Sequence, residues 1–304
     1  MRTRRLGKDG PEVSVVGLGC NNFGMRVDLG GTRVVVDAAL DAGVTLLDTA
    51  DTYGNDGGSE SFLGEVLQGR RDRVVLATKF GGRMEGRGGG SRGHIVKAVE
   101  ASLRRLRTGW IDLYQYHVPD GVTPIEETLG ALNELVDEGK VRFIGSSNFS
   151  AAQVDEAERI AREGGTARFV SAQNQYSLLR REAEKELQPT CERLGLGVLP
   201  YFPLASGLLT GKYRRGHPTP EGTRLSGRAE VFTDETFDKL EALEAFAKER
   251  GVTLLDVAVG GLLAQPAVAS VIAGATRPEQ VRSNVAAGGW EPSAEDVAAL
   301  NAIR

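Results

Sequence analysis

Three features of the chain predict an α/β fold closed into a (β/α)8 barrel. Short apolar runs alternate with amphipathic segments through about eight strand–helix pairs, the pattern of a parallel sheet. The pairs recur roughly every 30 residues, and a barrel of this type commonly takes about 250 residues or more; the chain has 304. A Gly-x-Gly-x-x-Gly is absent between the first strand and helix, where the run from Gly17 and Gly19 reaches Asn22 in place of the third glycine. That counts against an open dinucleotide-binding sheet. No segment is rich enough in Pro, Gly or Ser to divide the chain, so a single domain over 1–304 is expected.

The elements follow in order. Residues 13–19 are an apolar run closed by glycines, the first strand. Residues 32–40 place Val34, Val35, Ala38 and Ala39 at helical spacing. A strand at 45–47 ends in Asp48, and a helix starts near Ser59 with Phe62, Leu63, Val66 and Leu67 on one face. The strand at 73–78 is followed directly by Lys79. An amphipathic helix over 91–106 leads to a strand at 111–116, with His117 at its end. Thr123, Pro124 and Glu126 read as cap, first-turn proline and capping-box acid. The next strand is 141–145, followed by Ser146, Ser147 and Asn148, and Ser150 with Gln153 opens a second capped helix. A strand at 170–173, a helix at 182–194 and a strand at 197–201 come next. A polar segment at 214–233 reads as a long loop after strand seven. Helices at 234–250 and 253–264, a strand at 270–273, and helices after Pro278 and Ser293 complete the chain.

Composition narrows the function. The apolar fraction is 40%, enough for a sizeable core, and the net charge is only −4 with both signs mixed along the chain. Neither nucleic acid nor an anionic membrane is an expected partner. Cys20 and Cys191 have no disulfide or metal-site spacing, and the basic first residues lack an apolar run of signal-peptide length. A cytoplasmic protein without a metal is expected.

In a barrel the chemistry gathers at the carboxyl ends of the strands. There the chain places Asp48 and Tyr53, then Lys79, then His117, from strands two, three and four. Singly, each has an ordinary reading: a cap, a turn, a solvated lysine, a structural histidine. Jointly they suit one task. An ammonium beside a phenol favours the phenolate, a carboxylate aims the ammonium, and a histidine can donate to a substrate oxygen. A general acid tuned toward neutral pH, poised over a carbonyl, is expected.

With these residues in view, the sequence resembles the aldo-keto reductase superfamily over essentially its full length. The resemblance rests on Leu47-Asp48-Thr49-Ala50 with Tyr53-Gly54, Thr78-Lys79, Gln115-Tyr116-His117, Gly145-Ser146-Ser147-Asn148, Gln173-Asn174-Gln175-Tyr176, and the stretch from Tyr201 through Lys212. It implies a catalytic tetrad of Asp48, Tyr53, Lys79 and His117, with NADPH lying across the barrel mouth. By the same resemblance, Ser147, Asn148 and Gln173 hold the nicotinamide carboxamide and Tyr201 stacks on its ring. Pro203, Leu204, Ser206 and Lys212 line the pyrophosphate. Gly274, Thr276, Arg277, Gln280 and Asn284 serve the phosphate and adenosine end.

Three departures stand out. Gly274 and Gln280 occupy positions where many family members carry lysine and arginine, and Ser283 replaces the usual glutamate. The cation for a 2′-phosphate then falls to Arg277 or Arg224, and NADH remains open beside NADPH. The expected substrate is a small carbonyl compound, in a pocket lined by Asn21, Asn22, Phe23, Phe80, Val118 and the 214–233 loop. The alternatives are a cofactor-binding regulatory subunit resembling the potassium-channel β subunits, and an NAD(P)-dependent sugar or alcohol dehydrogenase. The short lead before the first strand favours the enzyme over the channel-type subunit. Nothing in the sequence bears on oligomeric state.

Overall fold

A computed structural model describes residues 1–82, 86 and 88–303. The chain opens with an antiparallel hairpin, β1 (Thr3–Arg5) and β2 (Glu12–Ser14). Strand and helix then alternate: β3 (Val16–Gly19), α1 (Leu29–Asp41), β4 (Leu46–Asp48), α2 (Tyr53–Val66), β5 (Val75–Phe80) and α3 (Arg92–Leu106). The alternation continues with β6 (Ile111–Tyr116), α4 (Ile125–Asp137), β7 (Val141–Ser147), α5 (Ala151–Gly164), β8 (Phe169–Gln173), α6 (Leu187–Leu194) and β9 (Gly197–Val198). After the long loop come α7 (Asp234–Glu249), α8 (Leu254–Leu263), β10 (Val271–Gly274), α9 (Pro278–Ala287) and α10 (Ala294–Ala302).

Strands β3 to β10 form one eight-stranded sheet in the order β10-β3-β4-β5-β6-β7-β8-β9, every pair parallel. Its two ends also meet. Val198 bridges Val268, the Ala269 N–H donates to the Val198 carbonyl at 3.0 Å, and that of Ile272 to the Pro200 carbonyl at 3.1 Å. The sheet is thus curled into the expected (β/α)8 barrel.

Alternate residues along each strand face opposite sides of the sheet, so two cores form. Leu46, Ala77, Leu113, Leu199 and Ile272 fill the barrel interior together with Leu6 and Val13 of the hairpin. The intervening residues, among them Leu47, Leu76, Tyr114 and Ile144, pack outward against the helices.

The first apolar run therefore serves two purposes, and the single strand expected at 13–19 is split. Val13 plugs the amino-terminal end of the barrel, and only from Val16 does the chain join the sheet. Lys79 lies inside β5, one residue short of its end, and does not follow the strand. The helix expected over 182–194 breaks into a 3-10 turn (Glu182–Glu184) and α6. Pro189 has no N–H to extend a helix backward, so it is accommodated in the first turn of α6. At α4 the expected cap is absent: Thr123 spends its hydroxyl on Asp120 Oδ2 at 2.7 Å, and Pro124 becomes the N-cap. The capping box at Ser150 and Gln153 forms as expected.

Gly7 is the point at which the plug is fitted. Its φ is +67°, and a Cβ there would lie 2.6 Å from the carbonyl oxygens of both Gly195 and Val170. Neither backbone can retreat without moving the barrel. Gly7→Ala is expected to cost about 1–3 kcal/mol through overpacking and strain, read as a lower urea midpoint. Unchanged stability would mean the hairpin is not seated in the barrel end.

Candidate active site

The polar cluster at the barrel mouth follows from strand register. Asp48 sits two residues above Leu46, Lys79 two above Ala77, and Gln115 two above Leu113, all on the inward face. Gln173 closes the layer from β8. Lys79 is 0% exposed and Asp48 3%. Lys79 Nζ donates to Asp48 Oδ2 at 2.6 Å and to the Thr49 carbonyl at 2.8 Å. The other carboxylate oxygen, Oδ1, accepts from Gln115 Nε2 at 3.1 Å and Gln173 Nε2 at 2.9 Å. A buried ion pair is sustained only when its remaining hydrogen-bonding positions are filled in this way.

Tyr53 is presented over this pair by an unusual turn. The four residues after it, Gly54 to Gly57, all have positive φ, and regular helix resumes beyond them, close to the expected start at Ser59. Gly54 is required there: a Cβ would lie 2.5 Å from the Phe23 carbonyl oxygen. The Lys79 ammonium lies 5.0 Å from the centroid of the Tyr53 ring. His117 meets that ring edge-on, with centroids 5.8 Å apart and planes at 82°. The four residues expected at the carboxyl ends of three successive strands do converge.

Their electrostatics differ from expectation in one respect. Burial raises the Tyr53 pKa and Lys79 lowers it, but burial prevails, so the phenol stays above its ordinary value. The expected acid tuned toward neutral pH is therefore a fully protonated phenol whose burial Lys79 partly offsets. For Lys79, burial alone would lower the pKa; Asp48 and then Tyr53 outweigh it and hold the ammonium charged. Burial and the Lys79 charge push His117 down to about 3, so its imidazole is neutral. Its Nδ1 is buried without a partner among the described residues.

Around this group the residues assigned to the cofactor are distributed as follows. Asn148 donates to the His117 carbonyl at 2.9 Å, and its Oδ1 accepts from the Tyr201 hydroxyl at 2.7 Å. Ser147 lies beside it, its Oγ accepting from Asn148 Nδ2 at 3.2 Å. Gln173 points its amide nitrogen down to Asp48, and among the described residues nothing donates to its Oε1. Pro203, Leu204 and Ser206 lie at the start of the loop after β9, where Ser206 and Gly207 have φ of 58° and 99°. The Lys212 ammonium lies against Gly207 and 5.2 Å from the Tyr213 ring centroid. Gly274 ends β10 beside Asn21 and Asn22. Thr276 donates through N–H and hydroxyl to Gln280 Oε1 at 2.8 and 3.1 Å. Arg277 is the exposed N-cap of α9, which has Pro278 in its first turn, and Asn284 is buried along the same helix. Arg224 is half-buried, its guanidinium carbon 5.1 Å from the Phe202 ring centroid.

Two pocket expectations fail. Phe23 and Phe80 are both 0% exposed and belong to the outer core, Phe80 stacked on Tyr116 at 5.1 Å. Phe80 follows the inward Lys79, so strand alternation turns it out toward the helices. Asn22 is also buried, its amide directed to the Ala275 carbonyl. Sequence reasoning overlooked Gln115 as part of the site, although an inward polar residue beside Lys79 in the register marks it. It also overlooked the support on the far side of β5. There Thr78 Oγ1 donates to the buried Glu60 at 2.6 Å, and Arg105 Nε donates to the other Glu60 oxygen at 2.7 Å.

A family model described as the aldo/keto reductase family matches residues 15–304. The chain belongs to that family. Among curated relatives, the uncharacterised oxidoreductase YrpG of Bacillus subtilis is 38% identical, over 93% of this chain and 89% of that protein. The aldo-keto reductase YhdN of the same organism is 36% identical, over 100% of this chain and 93% of its own. A probable voltage-gated potassium channel subunit beta of Oryza sativa subsp. japonica is also 36% identical, over 94% of this chain and 91% of that protein. As an aldo/keto reductase by family, the chain has oxidoreductases among its relatives, and the family generally uses a nicotinamide dinucleotide. Among the described residues no helix is long and apolar enough to cross a membrane. No group of three or more His, Cys, Asp or Glu residues that could hold a metal ion is found among them either.

Asp48→Asn removes the countercharge and leaves the ammonium buried. This variant is expected to lose about 3–5 kcal/mol, and adding Lys79→Met should restore most of it. Urea denaturation measures both. A single variant as stable as wild type would mean the pair does not carry the barrel mouth.

Proposed function

We propose that this chain is an NADPH-dependent reductase that converts an aldehyde or ketone to an alcohol. The observation that carries the reading is the Tyr53 phenol set over a buried, carboxylate-held Lys79 and beside a neutral His117. A substrate oxygen between Tyr53 and His117 would meet two groups able to donate. Tyr53 transfers its proton as the oxygen becomes an alkoxide, a far stronger base than the phenolate left behind. Lys79 stabilises that phenolate, which burial would otherwise disfavour. Asp48, steadied by Gln115 and Gln173, keeps Lys79 charged and aimed. His117 stays uncharged and orients the carbonyl.

The residues present suit a bound nicotinamide dinucleotide, which supplies the hydride. Its carboxamide needs both donors and acceptors; the Ser147 hydroxyl and the undonated Gln173 Oε1 provide them. Tyr201, pinned by Asn148, offers an aromatic face. The start of α9 offers backbone N–H groups and the helix dipole, with Arg277 beside it as a cation that has no acidic partner among the described residues, which suits a phosphate. Arg277 is thereby the favoured partner of a 2′-phosphate, the basis for preferring NADPH to NADH. Cys20 and Cys191, buried and unpaired, suit the reducing cytoplasm.

A second reading comes from the similarity to the rice channel subunit: a cofactor-binding regulatory protein with little turnover. Assay separates the two. NADPH oxidation with small aldehydes should be readily measured, and Tyr53→Phe should lower kcat by about 10²–10⁴ while NADPH still binds. Tight NADPH binding with no turnover of aldehydes, quinones or sugars supports the regulatory reading; full activity in Tyr53→Phe contradicts the assignment of the acid. Faster oxidation of alcohols or sugars than reduction of carbonyls would point to a dehydrogenase.

A further inference from the structure

The turn that presents Tyr53 has a conformation its own residues do not favour. Gly54, Asn55, Asp56 and Gly57 have φ of 71°, 57°, 63° and 103°, and two of the four carry a side chain. Left-handed backbone at such residues persists only where the surrounding structure fixes it. Here the turn is tied down at both ends. Before it, the Tyr53 N–H donates to the Ala50 carbonyl at 3.1 Å. After it, Ser59 Oγ donates to the Cys20 carbonyl at 2.8 Å, and the next residue, Glu60, is 0% exposed.

Both Glu60 oxygens are engaged. Oε1 accepts from Thr78 Oγ1 at 2.6 Å, and Thr78 is the residue before Lys79 in β5. Oε2 accepts from Arg105 of α3, whose Nε lies 2.7 Å and whose terminal nitrogen lies 2.6 Å away. The same side chain closes against the end of the turn. A Cβ on Gly57 would lie 2.5 Å from Arg105 Cδ and nearer still to Nε. Arg105 thus touches the last residue of the turn directly and, through Glu60, reaches the strand position next to Lys79. The Lys79 ammonium and the Tyr53 ring face each other at 5.0 Å, and the Glu60–Arg105 pair joins the two elements that set this separation.

Charge-assisted hydrogen bonds from a planar guanidinium are strong and directional, so such a link is stiff. We propose that the Glu60–Arg105 pair positions the general acid. It holds the turn after Tyr53 at the distance from β5 at which the Lys79 ammonium acts on the phenol. Both are positioning residues: they lie behind β5 and act only through the turn and the strand. The effect on turnover rests on the reductase reading given above, whereas the effect on the Tyr53 phenol does not.

The test uses Arg105→Met, Arg105→Lys and Glu60→Gln, with Arg104→Met as a control at an exposed position of the same helix. The first measurement is the single-turnover rate of NADPH oxidation with benzaldehyde, which product release does not mask, together with the Kd for NADPH. Arg105→Met should slow this step about 10- to 100-fold. Arg105→Lys should recover part of the loss, Arg104→Met should match wild type, and the Kd for NADPH should be unchanged in all of them. The second measurement is a double-mutant cycle read by ¹³C NMR of Tyr53 labelled at the phenol carbon. The rise in Tyr53 titration expected from Lys79→Met should largely vanish in the Arg105→Met background. A loss of stability alone leaves that rise intact, because it reports the geometry of the folded state. A full rise in the Arg105→Met background overturns the proposal whatever the rate does, and no rise in either background overturns it as well. So does a wild-type rate in Arg105→Met, or a rate loss matched by a loss of NADPH affinity. If Arg105→Met does not fold, Arg105→Lys and Glu60→Gln, which keep the side-chain volume, carry both measurements under the same criteria. If the wild type reduces no aldehyde, the reductase reading fails on its own and the cycle alone decides the proposal.

Discussion

Lys79 carries its charge into the closed interior of a barrel with none of its side chain exposed. An ion so placed costs several kcal/mol in lost hydration, and much of the surrounding architecture can be understood as meeting that cost. Asp48 provides the countercharge, the Thr49 carbonyl a second acceptor, and Gln115 and Gln173 occupy the rest of the carboxylate. These residues come from β4, β5, β6 and β8, so closing the barrel and neutralising the ammonium are one event. The hairpin plug fills the opposite end with Leu6 and Val13, which leaves the carboxyl ends of the strands as the place for polar chemistry.

Tyr53 depends on this arrangement twice. The left-handed turn after it fixes where the phenol stands, and the ammonium beneath it offsets part of what burial does to the phenolate. The balance at the mouth is then simple: a protonated phenol, a neutral imidazole, and a cation that titrates only far above neutrality. No proton has to be taken from solvent before the acid can act.

Much of this was legible in the sequence, and its omissions have physical causes. Alternating apolar runs located every barrel strand, because a buried parallel strand is continuously apolar and bounded by glycines or polar turns. Apolar character does not tell a plug from a strand, however, so Val13 and Val16 were joined. Asp48, Tyr53, Lys79 and His117, which the structure brings together, stood out in the sequence because they sit at or beside strand ends. Gln115 was overlooked and Phe80 misplaced for a single reason: side-chain parity along β5 and β6 was not followed. Taking Lys79 as inward turns Phe80 outward and brings Gln115, its partner in register, inward. The pKa of Tyr53 was misjudged because a neighbouring charge can be read from spacing, whereas desolvation depends on how deeply the folded chain encloses the ring.

The central claim is that Lys79 acts on Tyr53 against the effect of burial. It is tested most directly by ¹³C NMR titration of Tyr53 labelled at the phenol carbon, in wild type and in Lys79→Met. The phenol should remain protonated through neutral pH and titrate above the ordinary value of about 10, and the variant should titrate higher still. A wild-type phenol that ionises near neutral pH, or one whose titration does not rise when Lys79 is replaced, would contradict the account.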